Sequence, residues 1–502
     1  MNITLIRPPS YSIGFMGAQL VPYLGITYIA ASARKVGHSI DIIDMCGEDI
    51  DRTEVFSNKY ISYGMSIDRL NNRIKNKDII GFTCMFSQDW PFHRKLISYV
   101  HSLFPDSLFV AGGEHITALP DFCLEDCPEL DICVIGEADK VFVDLINAFE
   151  LNEDFSEVSS LVYHKNGFNH TQRANRIENI DELSYPAWDL VPIENYLSRN
   201  LNYHVQRGRT IPMLATRGCP YQCEFCSNSN MWSKPWIHRN PKLIVEEMKL
   251  YIKKYNVKNF IFSDLSAVID KKKIIELCNE IINNKIDITF QLPTLRTEVL
   301  DKELLKLMYH AGCRELDFAI ESASDIVLKS INKQNDSKKM TLLIENALDT
   351  GFNLSANIVI GLPKENFKEF LKSFFLTIKL SVMGMQELNV FPFIPYPGSK
   401  LFNEYLKVEK IKLNDTFFLN LFSYADLGKA ISFSENFGPR TLNCLRLVML
   451  SSFYGIMFLT HPHRLFKLIK NAIQGKTSTK LENVLYRILK NIKYSHDGYI
   501  SK

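Results

Sequence analysis

Thr216-Arg217-Gly218-Cys219-Pro220-Tyr221-Gln222-Cys223-Glu224-Phe225-Cys226 places three thiols within eight residues, directly after a short apolar segment at 212–215. Thiolates select soft metals and iron–sulfur clusters. A structural zinc site wants four closed ligands, usually as two Cys-x-x-Cys-like pairs. No fourth ligand lies nearby, because Cys278, Cys313 and Cys444 sit singly in helical or strand-end contexts. A loop with Cys-x3-Cys-x2-Cys spacing can wrap one face of a cubane cluster and leave the fourth iron open to a small molecule.

Downstream of this loop, apolar strand patterns at 212–215, 258–263, 289–292, 315–320, 354–360 and 387–393 alternate with helical patterns at 241–255, 271–284, 302–311 and 367–380. Six such units in this order predict a partial α/β barrel, with the cysteine loop at the carboxyl end of its first strand. Barrel enzymes keep their reactive groups at that end.

Loop and barrel together resemble the radical SAM superfamily. The resemblance implies a 4Fe–4S cluster on Cys219, Cys223 and Cys226, and SAM bound at its open iron. Phe225 falls at the aromatic position that lies near the adenine in the family. Ser263-Asp264 ends the second strand, where relatives carry acidic residues near the amino group of SAM. Arg296 follows the third strand and Glu321-Ser322 the fourth, both where relatives face SAM. Helix capping or a strand-end ion pair is the competing reading for Asp264, Arg296 and Glu321. Asn357-Ile358-Val359-Ile360-Gly361-Leu362-Pro363-Lys364-Glu365 resembles the Gly-Leu-Pro-Gly-Glu segment that skirts the adenine, with Lys364 in place of the second glycine. Pro395-Tyr396-Pro397-Gly398-Ser399 matches a Pro-x-Pro-Gly-Thr motif common after the sixth strand.

Residues 1–150 read as a second α/β unit. Strands are expected at 2–6, 39–44, 78–83, 107–111 and 131–135, and helices at 22–36, 91–103 and 140–150. Continuous apolar runs of about five residues between helices indicate a doubly wound parallel sheet. Ligands of such sheets sit beyond the carboxyl ends of the strands. Those ends read Arg7-Pro8-Pro9, Thr83-Cys84, Gly112-Gly113-Glu114-His115 and Gly136-Glu137, and glycine there lets a ligand approach the backbone. Simple strand termination is the other reading of these glycines. The set resembles the Rossmann-like cobalamin-binding domain fused in front of some radical SAM domains, which implies a cobalamin site at Pro8, Thr83, Gly112, Gly113, Gly136 and Glu137. The Asp-x-His-x-x-Gly motif of many such domains is replaced by Pro8-Pro9-Ser10-Tyr11-Ser12, so the resemblance implies cobalt without a protein imidazole, with a domain that has lost cobalamin altogether as the other reading.

Composition sets the frame. The 502 residues, 46% hydrophobic and 23% charged, suit two to four globular domains at about 150 residues each. The expected division is 1–150, a connector at 151–210, the barrel at 211–405 and a helical region at 406–502. A net charge of +2 gives no reason to expect nucleic acid as a partner. No basic flank and apolar core open the chain, and the apolar run at 447–459 is shorter than the roughly 20 residues of a bilayer-spanning helix. A cytoplasmic protein is expected, with its eleven cysteines as reduced thiols. From residue 461 onward nine Lys or Arg face two acidic residues. Leu481, Val484, Leu485, Ile488, Leu489 and Ile492 recur there at helical spacing opposite Arg487, Lys490 and Lys493. Such a tail suits either a helical cap on the barrel or a peripheral membrane contact that brings the barrel mouth to a lipid or isoprenoid-like substrate.

The full pattern resembles the cobalamin-dependent radical SAM group that includes hopanoid methylases and the anaerobic magnesium-protoporphyrin cyclase. That group implies reductive cleavage of SAM to methionine and a 5′-deoxyadenosyl radical, hydrogen removal from an unactivated carbon, and methyl transfer from methylcobalamin recharged by a second SAM. It also implies an electron donor such as flavodoxin or ferredoxin, and a small-molecule substrate. Ring contraction, cyclisation or oxidation without methyl transfer is a second enzymatic reading, and a non-enzymatic cobalamin- or redox-responsive binding protein a third. The catalytic side chains are not identifiable from sequence.

Overall fold

The computed structural model describes residues 1–13, 19–55, 59–75, 77–201, 205–292, 295, 299–333, 337–474, 477–479, 481–483 and 485. Arg296 and most of the apolar and basic positions read in the tail lie outside the described residues.

The first sheet has seven strands. Five are parallel, in the spatial order Ser39–Asp44, Asn2–Arg7, Ile79–Thr83, Leu108–Gly112, Ile132–Val134. Alternation along the strands sorts side chains to two covered faces. Ile3 and Leu5 pack with Ile26, Ala30, Phe142 and Leu145 of helices Leu24–Lys35 and Ala138–Glu150. Ile6, Ile80 and Phe82 pack with Trp90, Leu96 and Ile97 of helix Trp90–Leu103. This is the expected doubly wound sheet. Its strand order reverses between the first and third parallel strands, the point at which such sheets bind ligands.

Two antiparallel strands, Leu161–His164 and Phe168–His170, extend the sheet from the segment read as a connector. A small antiparallel sheet of Ser10–Ile13, Tyr60–Tyr63 and Thr53–Val55 was not legible, and it turns the stretch after Pro8-Pro9 into a strand. Its strands have only three or four residues, too few for a period to stand out.

The second sheet contains six parallel strands in sequence order: Thr210–Met213, Asn259–Phe262, Thr289–Gln291, Cys313–Glu321, Asn353–Ile360 and Glu387–Pro392. Helices Pro241–Tyr255, Lys271–Asn283, Lys302–His310, Ser337–Thr350 and Phe367–Met383 cover its outer face. The outward positions are apolar and buried, among them Phe260, Phe290, Leu316, Phe318, Leu354, Ile358 and Val390. The strand register puts Gln291 beside Glu315, Asn357 beside Asn389 and Ser355 beside Glu387 on the opposite, inner face. A sheet that is greasy under its helices and polar inside does not close on a packed core. It leaves a hydrogen-bonding interior.

The apolar run at 447–459 belongs to a longer element than its sequence suggests. Helix Pro439–Thr460 has 22 residues, and its most apolar 18-residue window has a mean hydropathy of 1.6, enough by length and composition to cross a membrane. One side of it, however, buries Leu442, Arg446, Met449, Phe453 and Met457 against the protein.

Backbone conformation at the fourth strand end gives a direct test. Gly113 has φ +118°, and a Cβ there would stand 2.6 Å from the carbonyl oxygen of Cys84. Gly113→Ala should destabilise the protein by about 1–3 kcal/mol. The check is a lowered urea midpoint at unchanged slope, and an unshifted midpoint would contradict the placement.

Candidate active site

The cysteine loop leaves the first barrel strand through Thr216–Arg217, which pairs antiparallel with Ile237–His238. Buried Asp264, at the end of the second strand, accepts hydrogen bonds from the backbone N–H of Ala215, at 3.1 Å, and of Thr216, and from the Thr216 hydroxyl. Gly218 has φ +89°, and a Cβ there would run into the Pro235 carbonyl. Further along, the Glu224 N–H donates to the Ile331 carbonyl at 3.0 Å, and the Glu224 carbonyl accepts from Leu401 N–H at 3.0 Å. Phe225 packs against Val327, Leu328, Ile331, Leu362 and Phe393, beyond the ends of strands four to six. The loop is thus held along its length before any metal is considered.

Cys219, Cys223 and Cys226 are all half-buried on this loop. Burial pushes the Cys226 thiol up to about 12, so ligation by its thiolate requires displacement of a proton. Among the described residues no three His, Cys, Asp or Glu side chains converge on a point that one ion would occupy. A cubane distributes its thiolates over separate irons, so three thiols spread along one loop fit it.

The cysteine loop is clamped to the first sheet. Arg217 reaches Asp139 with both terminal nitrogens, at 2.7 and 3.2 Å, and Glu137 at 3.2 Å. Glu137 also accepts from Arg176 Nε at 2.5 Å and from Ile177 N–H at 3.1 Å. Glu114, just past Gly112-Gly113, accepts from the Ser227 hydroxyl, and Asn230 Nδ2 donates to the Thr117 carbonyl at 3.1 Å. The strand ends of one sheet and the cysteine loop of the other meet face to face.

A cavity of about 530 Å³ lies at this junction, within the usual range for small-molecule sites. Thr83, Gly112, Gly113, Gly136, Glu137 and Asp264 all line it, which brings cobalamin-side and SAM-side expectations together. Its remaining wall is largely apolar, with Tyr23, Pro212, Leu214 and Trp232 among its members. Among the described residues no histidine lines it. His115 is fully buried beside Ser87 Oγ, at 3.0 Å, and Cys123 Sγ, at 3.4 Å. Strand-end glycines without a Cβ and a wall without imidazole fit a flat corrin bound with no histidine ligand.

The other expected residues sit elsewhere. Pro8, Phe225, Glu321, Gly361 and the three thiols Cys219, Cys223 and Cys226 do not line the cavity, although Arg217 and Trp232 on either side of the thiols do. Glu321 has φ +59° and pairs with Lys333 Nζ at 2.9 Å. Gly361, at φ +80°, donates its N–H to Glu365, whose carboxyl burial pushes up to about 7. Lys364 has φ +64°, in the left-handed region that favours glycine. Sequence reasoning missed Arg217, Asp139 and Arg176. It also missed Gln291, whose buried amide lines the cavity without a hydrogen-bond partner among the described residues. Arg217 was the accessible hint: a charged side chain directly between an apolar strand and the thiols.

Burial raises Asp264 from 3.8 to about 6, against the hydrogen bonds from Thr216 and Ala215. Its proton is therefore held more tightly in the folded chain. The stability it contributes is complete below about pH 4 and falls by about 3 kcal/mol as pH rises past about 6. Wild type minus Asp264→Asn, compared by urea melts across this window, should show that fall. A difference that rises with pH would contradict it.

Comparison with known proteins agrees with this arrangement. Residues 17–146 match the B12 binding domain, and residues 213–376 match the Radical SAM superfamily. An uncharacterized methyltransferase of Pyrococcus horikoshii is 26% identical over 80% of this chain and 82% of its own length. The anaerobic magnesium-protoporphyrin IX monomethyl ester cyclase of Rubrivivax gelatinosus is 27% identical over 80% of this chain and 70% of its own. In fold, the chain is similar to the cobalamin-dependent S-adenosylmethionine radical enzyme OxsB solved with aqua-cobalamin and S-adenosylmethionine. The TM-score is 0.66 at 14% identity, over 100% of this chain and 81% of that one. The polypeptide thus carries a B12 binding domain and a radical SAM domain whose strand ends face one another across a single cavity.

Proposed function

We propose that this chain is a cobalamin-dependent radical SAM enzyme that methylates an unactivated carbon of a small molecule. One observation carries the reading: the loop that bears the three thiols is fastened through Arg217 to the glycine-rich strand ends, and Arg217, Trp232 and those glycines line one cavity beside it. When bound, the cluster and SAM supply a carbon-centred radical and cobalamin supplies the methyl group. Cys219, Cys223 and Cys226 hold the cluster. Asp264 fixes the backbone that leads into them, and Gly112, Gly113 and Gly136 let the corrin approach the sheet. The apolar wall keeps water away from a reactive carbon. No side chain is assigned a proton transfer.

Finer parts of the proposal are the division at 150, 210 and 405, with the connector lending the strands at 161–164 and 168–170 to the first sheet, a cytoplasmic location, and a flavodoxin- or ferredoxin-type electron donor. A lipid or isoprenoid-like substrate, reached through membrane contact, is supported by the apolar cavity wall. Similarity to the cyclase favours a second reading, in which the radical is used without methyl transfer.

Protein reconstituted anaerobically with iron, sulfide and hydroxocobalamin, then reduced with dithionite, should convert SAM to 5′-deoxyadenosine. Cys223→Ala should abolish both the cluster absorbance and that cleavage, whereas four irons per chain persisting in the triple Cys→Ala variant would overturn the ligand assignment. With methyl-deuterated SAM and cell metabolites, label in a product supports methylation, and 5′-deoxyadenosine formed with no label transferred supports the second reading. The cob(II)alamin spectrum should show no nitrogen hyperfine coupling from a protein histidine. Such coupling would contradict the imidazole-free site.

A further inference from the structure

Helix Pro439–Thr460 spans the barrel from mouth to base. Leu442 packs against Gly361, beyond the carboxyl end of the fifth barrel strand. At the other end, His461 and Arg464 lie against Gly384, just before the sixth strand begins, and Arg464 donates to the Gly384 carbonyl at 2.7 Å. Helix Pro462–Gln474 therefore starts at the base of the barrel, away from the cysteine loop.

These two helices leave large apolar side chains in solvent. Leu447, Leu465 and Ile469 are exposed, and Leu459, Phe466 and Ile473 are 82%, 73% and 80% accessible. The charge along these helices has one sign: residues 436–481 contain seven Lys or Arg and no Asp or Glu, and Glu482, which accepts from Asn471 Nδ2 at 2.9 Å, is buried. Lys467 and Lys470 alternate with Phe466 and Ile469. Solvated faces of monomers rarely combine contiguous apolar groups in this way. A symmetric contact with a second copy would set like charges against one another with no acid to offset them. Interleaved cations and apolar groups match an anionic bilayer, into which the apolar groups insert while the lysines reach headgroups. Buried Arg446 and the line of contacts to the barrel keep Pro439–Thr460 on the protein, so it does not span.

We propose that the exposed face of helices Pro439–Thr460 and Pro462–Gln474 docks the barrel base on an anionic phospholipid membrane. The inference rests on the proposed membrane contact and moves it from the far tail and the mouth to the base. The anchor tethers the enzyme where apolar substrates partition, while the mouth opens to water and to a soluble electron donor.

Flotation of the full chain with phosphatidylglycerol/phosphatidylcholine vesicles tests this. Wild type should float at low salt, be released at high salt as screening shortens the attraction, and not float with phosphatidylcholine alone. Phe466→Glu/Ile473→Glu, at two exposed positions, should keep its circular dichroism and lower the bound fraction by about tenfold or more. Arg487→Glu/Lys490→Glu should retain most binding. If the Phe466/Ile473 variant floats like wild type while the Arg487/Lys490 variant does not, membrane contact stands but this face is not its site. If wild type fails to float, both the contact and the face fall. A concentration-dependent dimer in sedimentation that the Phe466/Ile473 substitutions abolish would overturn the lipid assignment in favour of a second copy.

Discussion

The Arg217 guanidinium, held between Asp139 and Glu137, joins the two halves of the molecule. Burial works against its charge and is outweighed by Asp139 and Glu137, which hold it protonated above its ordinary range. Removing one partner of such a buried group typically costs about 3–5 kcal/mol, because the remaining charge is left without compensation. Only Gly218 separates Arg217 from Cys219, and Asp139 lies in the first turn of the helix after Gly136-Glu137. A side chain at the threshold of the thiols is therefore fastened to the strand ends that face the cavity. With the Ser227–Glu114 and Asn230–Thr117 hydrogen bonds it sets the two mouths against one shared cavity.

The interiors on either side of the clamp differ in kind. On the first sheet both faces are apolar and helix-covered, so the only place for a ligand is beyond the strand ends. In the barrel the inner face carries Gln291, Asn357 and Asn389, and Asn389 Nδ2 donates to Asn357 Oδ1 at 2.9 Å. A polar interior below an apolar junction suits a site that holds polar cofactor groups at depth and excludes water where the radical is used.

Sequence legibility followed the range of the interactions. Barrel strands and the parallel strands of the first sheet were readable to within two residues, because each is a buried apolar run between helices. The same runs located Thr83, Gly112, Gly136 and Asp264 at strand ends, and that shared position is why they share a cavity. Arg217 and Asp139 are 78 residues apart, and no local pattern links them. The Ser10–Ile13 sheet was missed because its strands are too short for a period, whereas helix Ser337–Thr350 fills a gap between barrel strands that the alternation had already marked as helical. Helix Pro439–Thr460 looked shorter in sequence because Thr441, Asn443 and Arg446 interrupt its apolar run, although Arg446 is buried against the Tyr424 and Asp426 carbonyls.

Deuterium exchange of the reconstituted chain, with and without hydroxocobalamin, tests the coupling most directly, because exchange reports local opening. In the wild type, cobalamin should slow exchange both at residues 112–115 and 136–139 and in the cysteine loop at 216–232. In Arg217→Leu the protection should stop at the first sheet. Protection confined to the first sheet in the wild type, or equal protection of the cysteine loop in both proteins, would contradict a clamp that makes the two sites one.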